Sequence, residues 1–149
     1  MANYATTGQL AAVAAAYKTA LRITGGTTVR PKLYDLLIGA SGTPADNALV
    51  WALMRLTVAG TDTSLTPTPL DPADVAARAT AGENASAEAT FTAGSELLEL
   101  PINQRASYRW VASPGGELVI PATAAAGIGA RAKSAAYTGA AEATIQFSE

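Results

Sequence analysis

Apolar and polar residues alternate along most of the chain after residue 17, which is the pattern of strands with one buried face. Turn sequences such as Gly25-Gly26 and Ser113-Pro114-Gly115-Gly116 separate the alternating segments. Short strands joined by such turns predict an all-β fold, a β-sandwich of jelly-roll or Greek-key type. The alternating segments are residues 18–23, 32–38, 89–93, 97–102, 105–112, 117–120 and 143–147.

Residues 43–58 carry signals for both helix and strand. A capping threonine followed by proline is a good helix start, and the alanines and leucines that follow favour helix. As a strand, the same stretch places Leu49, Trp51 and Leu53 on one face. Because the surrounding pattern is rich in strands, we predict a long strand over residues 47–58 that is buried on both faces.

Residues 65–85 are predicted to be a long connector, because prolines exclude them from a central strand. Asp71-Pro72-Ala73-Asp74 has the composition of a helix start and predicts one short helix, from Pro72 to about Ala79. A long excursion between strands is also what a Greek-key crossover requires.

Residues 1–16 are predicted to be an N-terminal arm outside a single sandwich domain of residues 17–149. The arm is either a weak helix, with Leu10, Val13 and Tyr17 at helical spacing, or a loosely ordered tail. An arm of either kind can dock on a neighbouring molecule.

Composition limits the chemistry that the chain can perform. There is no cysteine and no histidine, so disulfides, thiol nucleophiles, histidine catalysis and histidine metal ligands are excluded. The net charge is −2 and the basic residues do not cluster, which argues against nucleic acid as a partner. There is no long apolar run, so no membrane segment is predicted, and the weakly apolar N-terminus does not resemble a signal peptide.

The hydrophobic content predicts a thin core. It reaches 49% of residues, but alanine supplies much of it, and there are only two Trp, two Phe and two Met. Alanine contributes little transfer free energy, so we expect that a partner subunit completes the core.

One motif suggests a cofactor. Residues 127–132, GIGARA, match the G-x-G-x-x-A form of the dinucleotide-binding fingerprint. That site needs a following helix and a second strand that ends in an acidic residue, and the residues after Ala132 leave no room for them. We therefore predict no cofactor and interpret residues 122–133 as a glycine-loosened surface loop that lies against another protein.

No catalytic site and no metal site is predicted. The carboxylates of Asp35, Glu96, Glu99 and Glu117 could serve a hydrolase, but nothing in the sequence places two of them across a cleft. Solvated strand faces and ion pairs explain them better.

Two aromatic residues, Tyr108 and Trp110, share one strand face with alanines, so we predict that they belong to the core. Arg105 and Arg109 fall on the opposite face and are candidate polar anchors on a partner surface.

Three stretches carry a family resemblance: RPKLYDLLIGASGTPADNAL, TPTPLDPAD and LPINQRASYRWVASPGGELVIPATAAAGIGARAKSAAYTG. The chain from about Tyr17 onward resembles capsid decoration, or cement, proteins of tailed bacteriophages. The resemblance implies a jelly-roll-type sandwich that oligomerises and bridges major capsid subunits on the outer head surface. It implies no active-site residues.

The function expected from the sequence is therefore that of a virion structural protein and not an enzyme, made in the host cytoplasm and located on the capsid surface. Its expected partners are the major capsid protein and further copies of itself in a dimer or trimer. A tail or baseplate module that binds glycans is the alternative, and a carboxylate-based hydrolase is the third hypothesis. Besides the loops at 40–46 and 122–133, the candidate partner contacts are Tyr4, Leu10, Arg105, Arg109, Arg131 and Lys133.

Overall fold

The regular structure of the chain consists of twelve strands and contains no helix. The computed structural model describes residues 1–149. With no helix present, none could cross a membrane. In chain order the strands are β1 (Asn3–Leu10), β2 (Lys18–Thr24), β3 (Lys32–Ala40), β4 (Ala48–Val58), β5 (Thr61–Leu65), β6 (Thr68–Pro69), β7 (Thr80–Ala87), β8 (Thr90–Asn103), β9 (Tyr108–Val111), β10 (Leu118–Val119), β11 (Gly127–Lys133) and β12 (Ala141–Ser148).

The strands form two antiparallel sheets. Sheet A has the order β10-β3-β12-β1-β6, and β9 pairs with β3 on the same edge as β10. Sheet B has the order β5-β7-β2-β11-β4-β8. Residues from both sheets form one hydrophobic cluster, as in a β-sandwich, which confirms the predicted all-β class.

The alternation in the sequence corresponds to this core. In β12, Ala143, Ile145 and Phe147 point into the core and the residues between them point outward. The prediction of a strand over residues 47–58 is also confirmed, because β4 lies between β11 and β8. Its inner face carries Trp51, and its outer face carries Met54, which is also buried.

The predicted N-terminal arm is wrong. Residues 3–10 form β1, which pairs along its whole length with β12 and lies inside sheet A. Tyr4, Thr6, Gly8 and Leu10 are buried, which gives β1 a period of two. The helical spacing of Leu10 and Val13 misled the prediction, because both residues enter the core from a strand and the loop after it.

The predicted connector over residues 65–85 and its short helix are also wrong. The chain crosses from β5 in sheet B to β6 in sheet A and returns to sheet B as β7. Asp71 accepts a hydrogen bond from the Ala73 amide at 2.9 Å, and its carbonyl accepts one from the Asp74 amide at 3.0 Å. These bonds close one turn, and no second helical turn follows it.

The two long sides of the molecule are built differently. On one side the excursion through β5, β6 and β7 adds outer strands to both sheets, and β7 also packs against β1. On the other side both sheets end without such cover, at β8 in sheet B and at β9 with β10 in sheet A. We call this second side the β8–β9 side.

Candidate interaction surface

The outer face of sheet B carries a cluster of two cations and two aromatic rings. Tyr17 lies just before β2, Phe91 lies near the start of β8, and Arg131 and Lys133 close β11. Antiparallel pairing places β11 between β2 and β4, with β8 beyond β4, so residues that are far apart in sequence meet here. We call these four residues the cation–aromatic cluster.

Arg131 lies at the centre of the cluster. Its guanidinium carbon is 4.0 Å from the centroid of the Phe91 ring and 5.1 Å from that of Tyr17. Both distances are within the range in which a cation is attracted by the face of an aromatic ring. One guanidinium nitrogen is 3.5 Å from the Met54 sulfur, and the side chain is only 15% exposed.

Glu88 supplies the countercharge of Arg131. Its Oε2 atom is 3.8 Å from the guanidinium. The same carboxylate accepts hydrogen bonds from the Thr19 amide, at 3.0 Å, and from the Thr19 hydroxyl, at 2.6 Å, and these bonds hold it in place. Burial lowers the pKa of Arg131, and the Glu88 carboxylate opposes that shift.

Tyr17 is covered by both cations. The Lys133 ammonium lies 4.2 Å from the centroid of its ring, and Arg131 lies over the same ring. Burial, followed by the negative charge of Glu99, raises the pKa of Tyr17 to about 12. The phenol therefore stays neutral at physiological pH and serves as a stacking platform.

The glycines of the GIGARA segment explain how Phe91 approaches the sheet. A Cβ atom at Gly129 would lie 2.9 Å from the Phe91 ring, and one at Gly127 would meet the backbone of Ile23. The segment is strand β11, so the prediction of a surface loop over 122–133 is wrong from residue 127 onward. A glycine within a strand marks a close approach, and here the approaching groups are a ring and a neighbouring strand.

A buried ion pair lies beside the cluster on the same face. Arg22 in β2 pairs with Gly129 across the strands, and its side chain donates two hydrogen bonds to the carboxylate of Asp62. The two side chains are 11% and 6% exposed. This pair and the cluster together stabilise the outer face of sheet B.

Arg109 occupies a different position, on the outer face of sheet A. Its guanidinium donates hydrogen bonds to both carboxylate oxygens of Asp35 through Nε and Nη2. The bonds raise the pKa of Arg109. The arginine side chain is 62% exposed and the aspartate side chain only 7%. The guanidinium of Arg109 therefore faces solvent, while the carboxylate that holds it is buried.

Arg105 does not lie beside Arg109. It falls in the exposed turn between β8 and β9, where its Nε approaches the Pro44 carbonyl at 3.4 Å. The structure therefore separates the predicted basic anchors into three places: the turn, the outer face of sheet A and the cation–aromatic cluster.

Tyr4 and Leu10 are not on the surface, so the prediction that they contact a partner is wrong for this protomer. Tyr4 stacks on Phe147 with ring centroids 5.5 Å apart, and its hydroxyl donates to the Val75 carbonyl at 2.9 Å. Leu10 belongs to the same core. Both predictions followed from the incorrect prediction that residues 1–16 form an N-terminal arm.

The cluster can bind a partner on an open surface, and it does not enclose a ligand. Next to it lies an open depression of about 400 Å³, lined by Ala48, Val50, Lys133 and Ala136 among others. Lys133 at the rim can donate to carboxylate or carbonyl oxygens of a protein partner. Aromatic residues, Met and Arg are the residue types enriched in protein interfaces.

Phe91 and Tyr17 belong to the site but were not predicted from the sequence. Phe91 was visible only as an alternating strand residue, and Tyr17 only by its helical spacing. The available signal was the pair Gly127 and Gly129 within a stretch that can form a strand, since a glycine there leaves room for a ring from a neighbouring strand.

Comparison with known proteins adds no relative. No protein-family model matches the chain, and neither a curated protein nor a solved structure matches it.

Proposed function

We propose that the chain is a virion structural protein, a capsid decoration protein that binds the outer surface of a tailed-phage head and stabilises the shell. The proposal starts from the three stretches that resemble that family. The observation that carries it further is the cation–aromatic cluster, a preorganised surface of interface-type residues on a broad sheet face.

We also propose that the two sheets form a jelly roll with one insertion. Removing β5, β6 and β7, together with the two-residue strand β10, leaves β1-β12-β3-β9 in sheet A and β2-β11-β4-β8 in sheet B. From β1 to β4 the chain alternates between the sheets, β8 then follows β4 in sheet B, and β9, β11 and β12 alternate again. Two four-stranded sheets connected in this order are those of an eight-stranded jelly roll.

The proposed mechanism is mass action. A protein that binds the assembled shell and not its dissociated subunits stabilises the shell by its binding free energy. Arg131 and Phe91 are already held by neighbours, so little side-chain entropy is lost on binding. Lys133, at the rim, meets an acidic or carbonyl-rich patch of the major capsid protein.

Fluorescently labelled protein mixed with expanded heads, unexpanded heads and tails of a tailed phage that encodes it provides the test. We expect saturable binding to expanded heads, imaged by electron microscopy. Lys133→Glu is expected to weaken that binding about tenfold, because like charges then oppose each other across the interface. Lys32→Glu, on sheet A, makes the same charge change away from the cluster and is the matched control.

Binding to neither heads nor tails would refute a virion role. Binding to tails alone would move the function to a tail or baseplate module, which a glycan array would then examine. Equal binding by the Lys133 and Lys32 variants would remove the cluster from the interface. Deletion of residues 1–16 would not test the interface, because it would remove β1 from sheet A.

A further inference from the structure

We propose that the β8–β9 side binds a second copy of this chain in a two-fold dimer. A decoration protein is expected to form an oligomer, and this dimer specifies the interface of that oligomer. The inference rests on the proposed function for its biological setting only. Its physical basis is the difference between the two long sides of the molecule, and it can be tested without a capsid.

Both sheets end on this side in strands with no further neighbour. β8 is 14 residues long and pairs only with β4, and β9 pairs only with β3. Unpaired strand edges are templates for pairing with another chain, and proteins normally cover them. The opposite side ends in shorter strands, β5 with five residues and β6 with two, so β8 presents the longest unpaired edge of the molecule.

The core is only half closed on the same side. Tyr108 and Trp110 in β9 face inward, opposite Ile38 and Leu36. Leu98 and Leu100 in β8 face inward, opposite Leu53 and Trp51. The large apolar side chains that pack on the core here and remain partly exposed include Leu98, Leu100, Ile102, Tyr108, Trp110 and Leu118.

A second copy fits both edges at once. The strands β8 and β9 run in opposite directions, since residues 104–107 connect them from one sheet to the other. A two-fold axis parallel to the strands places β8 of each copy beside β9 of the other copy. The two strands of each pair are antiparallel, and the symmetry produces two such pairs. Both sheets then continue across the interface and the two half-closed cores join, which is strand addition by an isologous contact.

The outer faces of β8 and β9 also offer complementary charges for this contact. Arg109 in β9 and Glu99 in β8 point outward, since they lie opposite Leu37 and Ala52 on the outer faces. Asp35 engages Nε and Nη2 of Arg109, so Nη1 is free to donate to another carboxylate. Placing Arg109 opposite Glu99 of the second copy also sets Tyr108 opposite its Leu100 and Trp110 opposite its Leu98. Apolar residues then meet inside and opposite charges meet outside.

The first measurement is sedimentation velocity of the wild-type chain from about 1 to 100 μM, a range that brackets ordinary dimer affinities. We expect a species of twice the 15.0 kDa chain mass. Glu99→Gln should weaken the dimer three- to tenfold, since it removes two symmetric ion pairs. Glu142→Gln, on the outer face of sheet A, is the matched control and should leave the dimer unchanged.

The second measurement uses the absence of cysteine from the chain. Glu99→Cys and Arg109→Cys are made as separate proteins, and each is checked for folding by circular dichroism. Under mild oxidation neither protein alone should form a covalent dimer, whereas their mixture should, because directly opposed residues of antiparallel strands approach closely enough for a disulfide.

Three results would overturn the dimer: a wild-type monomer at 100 μM, a trimer, or cross-linking by a single variant as strong as that of the mixture. A monomer that still binds heads would overturn only this inference. A dimer that binds no head would overturn only the proposed function.

Discussion

The outer faces of the two sheets use arginine in opposite ways. On sheet B, Arg22 and Asp62 are both buried, and the guanidinium of Arg131 contacts the rings of Phe91 and Tyr17. On sheet A, Arg109 is largely exposed and only its partner Asp35 is buried. The first face encloses its arginines Arg22 and Arg131 within the fold, whereas the second presents the guanidinium of Arg109 to solvent.

The remaining residues follow the same division. The outer face of sheet A carries short polar contacts, such as the 2.9 Å hydrogen bond between the hydroxyls of Thr7 and Thr144. The outer face of sheet B buries Ala52, Met54 and Leu56. We infer that stability depends more on the outer face of sheet B, because desolvated charges and apolar groups lose more when a neighbour is removed.

The largest expected effect comes from Arg22→Ala. The substitution leaves the Asp62 carboxylate buried without its cation, which costs about 3–5 kcal/mol of unfolding free energy. The corresponding change on sheet A, Arg109→Ala, should cost clearly less, because water can replace the exposed guanidinium. Urea denaturation of both variants measures the difference. Equal losses would contradict the contrast between the faces.

A smaller effect is expected from one methyl group placed on each face. Gly129→Ala puts a Cβ atom 2.9 Å from the Phe91 ring, so the ring must move off the sheet, at a cost of about 1–3 kcal/mol. Gly39→Ala, on β3, meets nothing closer than the Ser107 side chain at 3.7 Å and should be neutral or slightly stabilising. Thermal denaturation of the two variants is the measurement, and a Gly129 variant as stable as wild type would show that Phe91 does not need its place over Gly129.

The smallest effect at neutral pH is expected from Tyr17→Phe, which keeps the ring that carries the cations. Its effect appears at high pH. The pKa of Tyr17 is about 12 in the folded chain, above the ordinary value of 10.0. The folded state therefore holds the proton more tightly, and its contribution to stability is complete below pH 10 and is lost as the pH rises towards 12.

The Tyr17 variant should accordingly lose less stability than wild type between pH 10 and 12, as measured by denaturation across that range. Tyr34→Phe, outside the cluster, should change the pH dependence in the same direction, because burial also raises the pKa of Tyr34. Parallel pH curves for wild type and the Tyr17 variant would mean that the phenol is not desolvated.

Some of the site could be predicted from sequence and some could not. Arg131 and Lys133 were identified as contacts because basic residues in a small-residue segment are conspicuous. Their surroundings were not identified, because Tyr17, Phe91 and Glu88 reach them only through the pairing of β11 with β2 and β4. The basic pair was predicted on a loop, whereas a strand holds it with its countercharge.

The N-terminal segment shows why a local pattern can mislead. Residues 1–16 contain few large apolar side chains, so their alternation is weak, and the prediction considered only a weak helix or a loosely ordered tail. Pairing with β12 decides the question, since it satisfies the backbone of β1 and buries Tyr4 against Phe147. The partner strand lies at the other end of the chain, where no local window can find it.

The sequence by itself determined the all-β class and the alternation of the closing strand, because period-two burial is a local property that the order of residues records. The strand at residues 48–58 followed from the strand-rich pattern around it, since its own residues suit both helix and strand. Only the tertiary structure decided which strands pair, which arginines are enclosed and which edges stay open. Those outcomes depend on contacts between residues far apart in the chain, and the energy that selects them comes from burying both partners together.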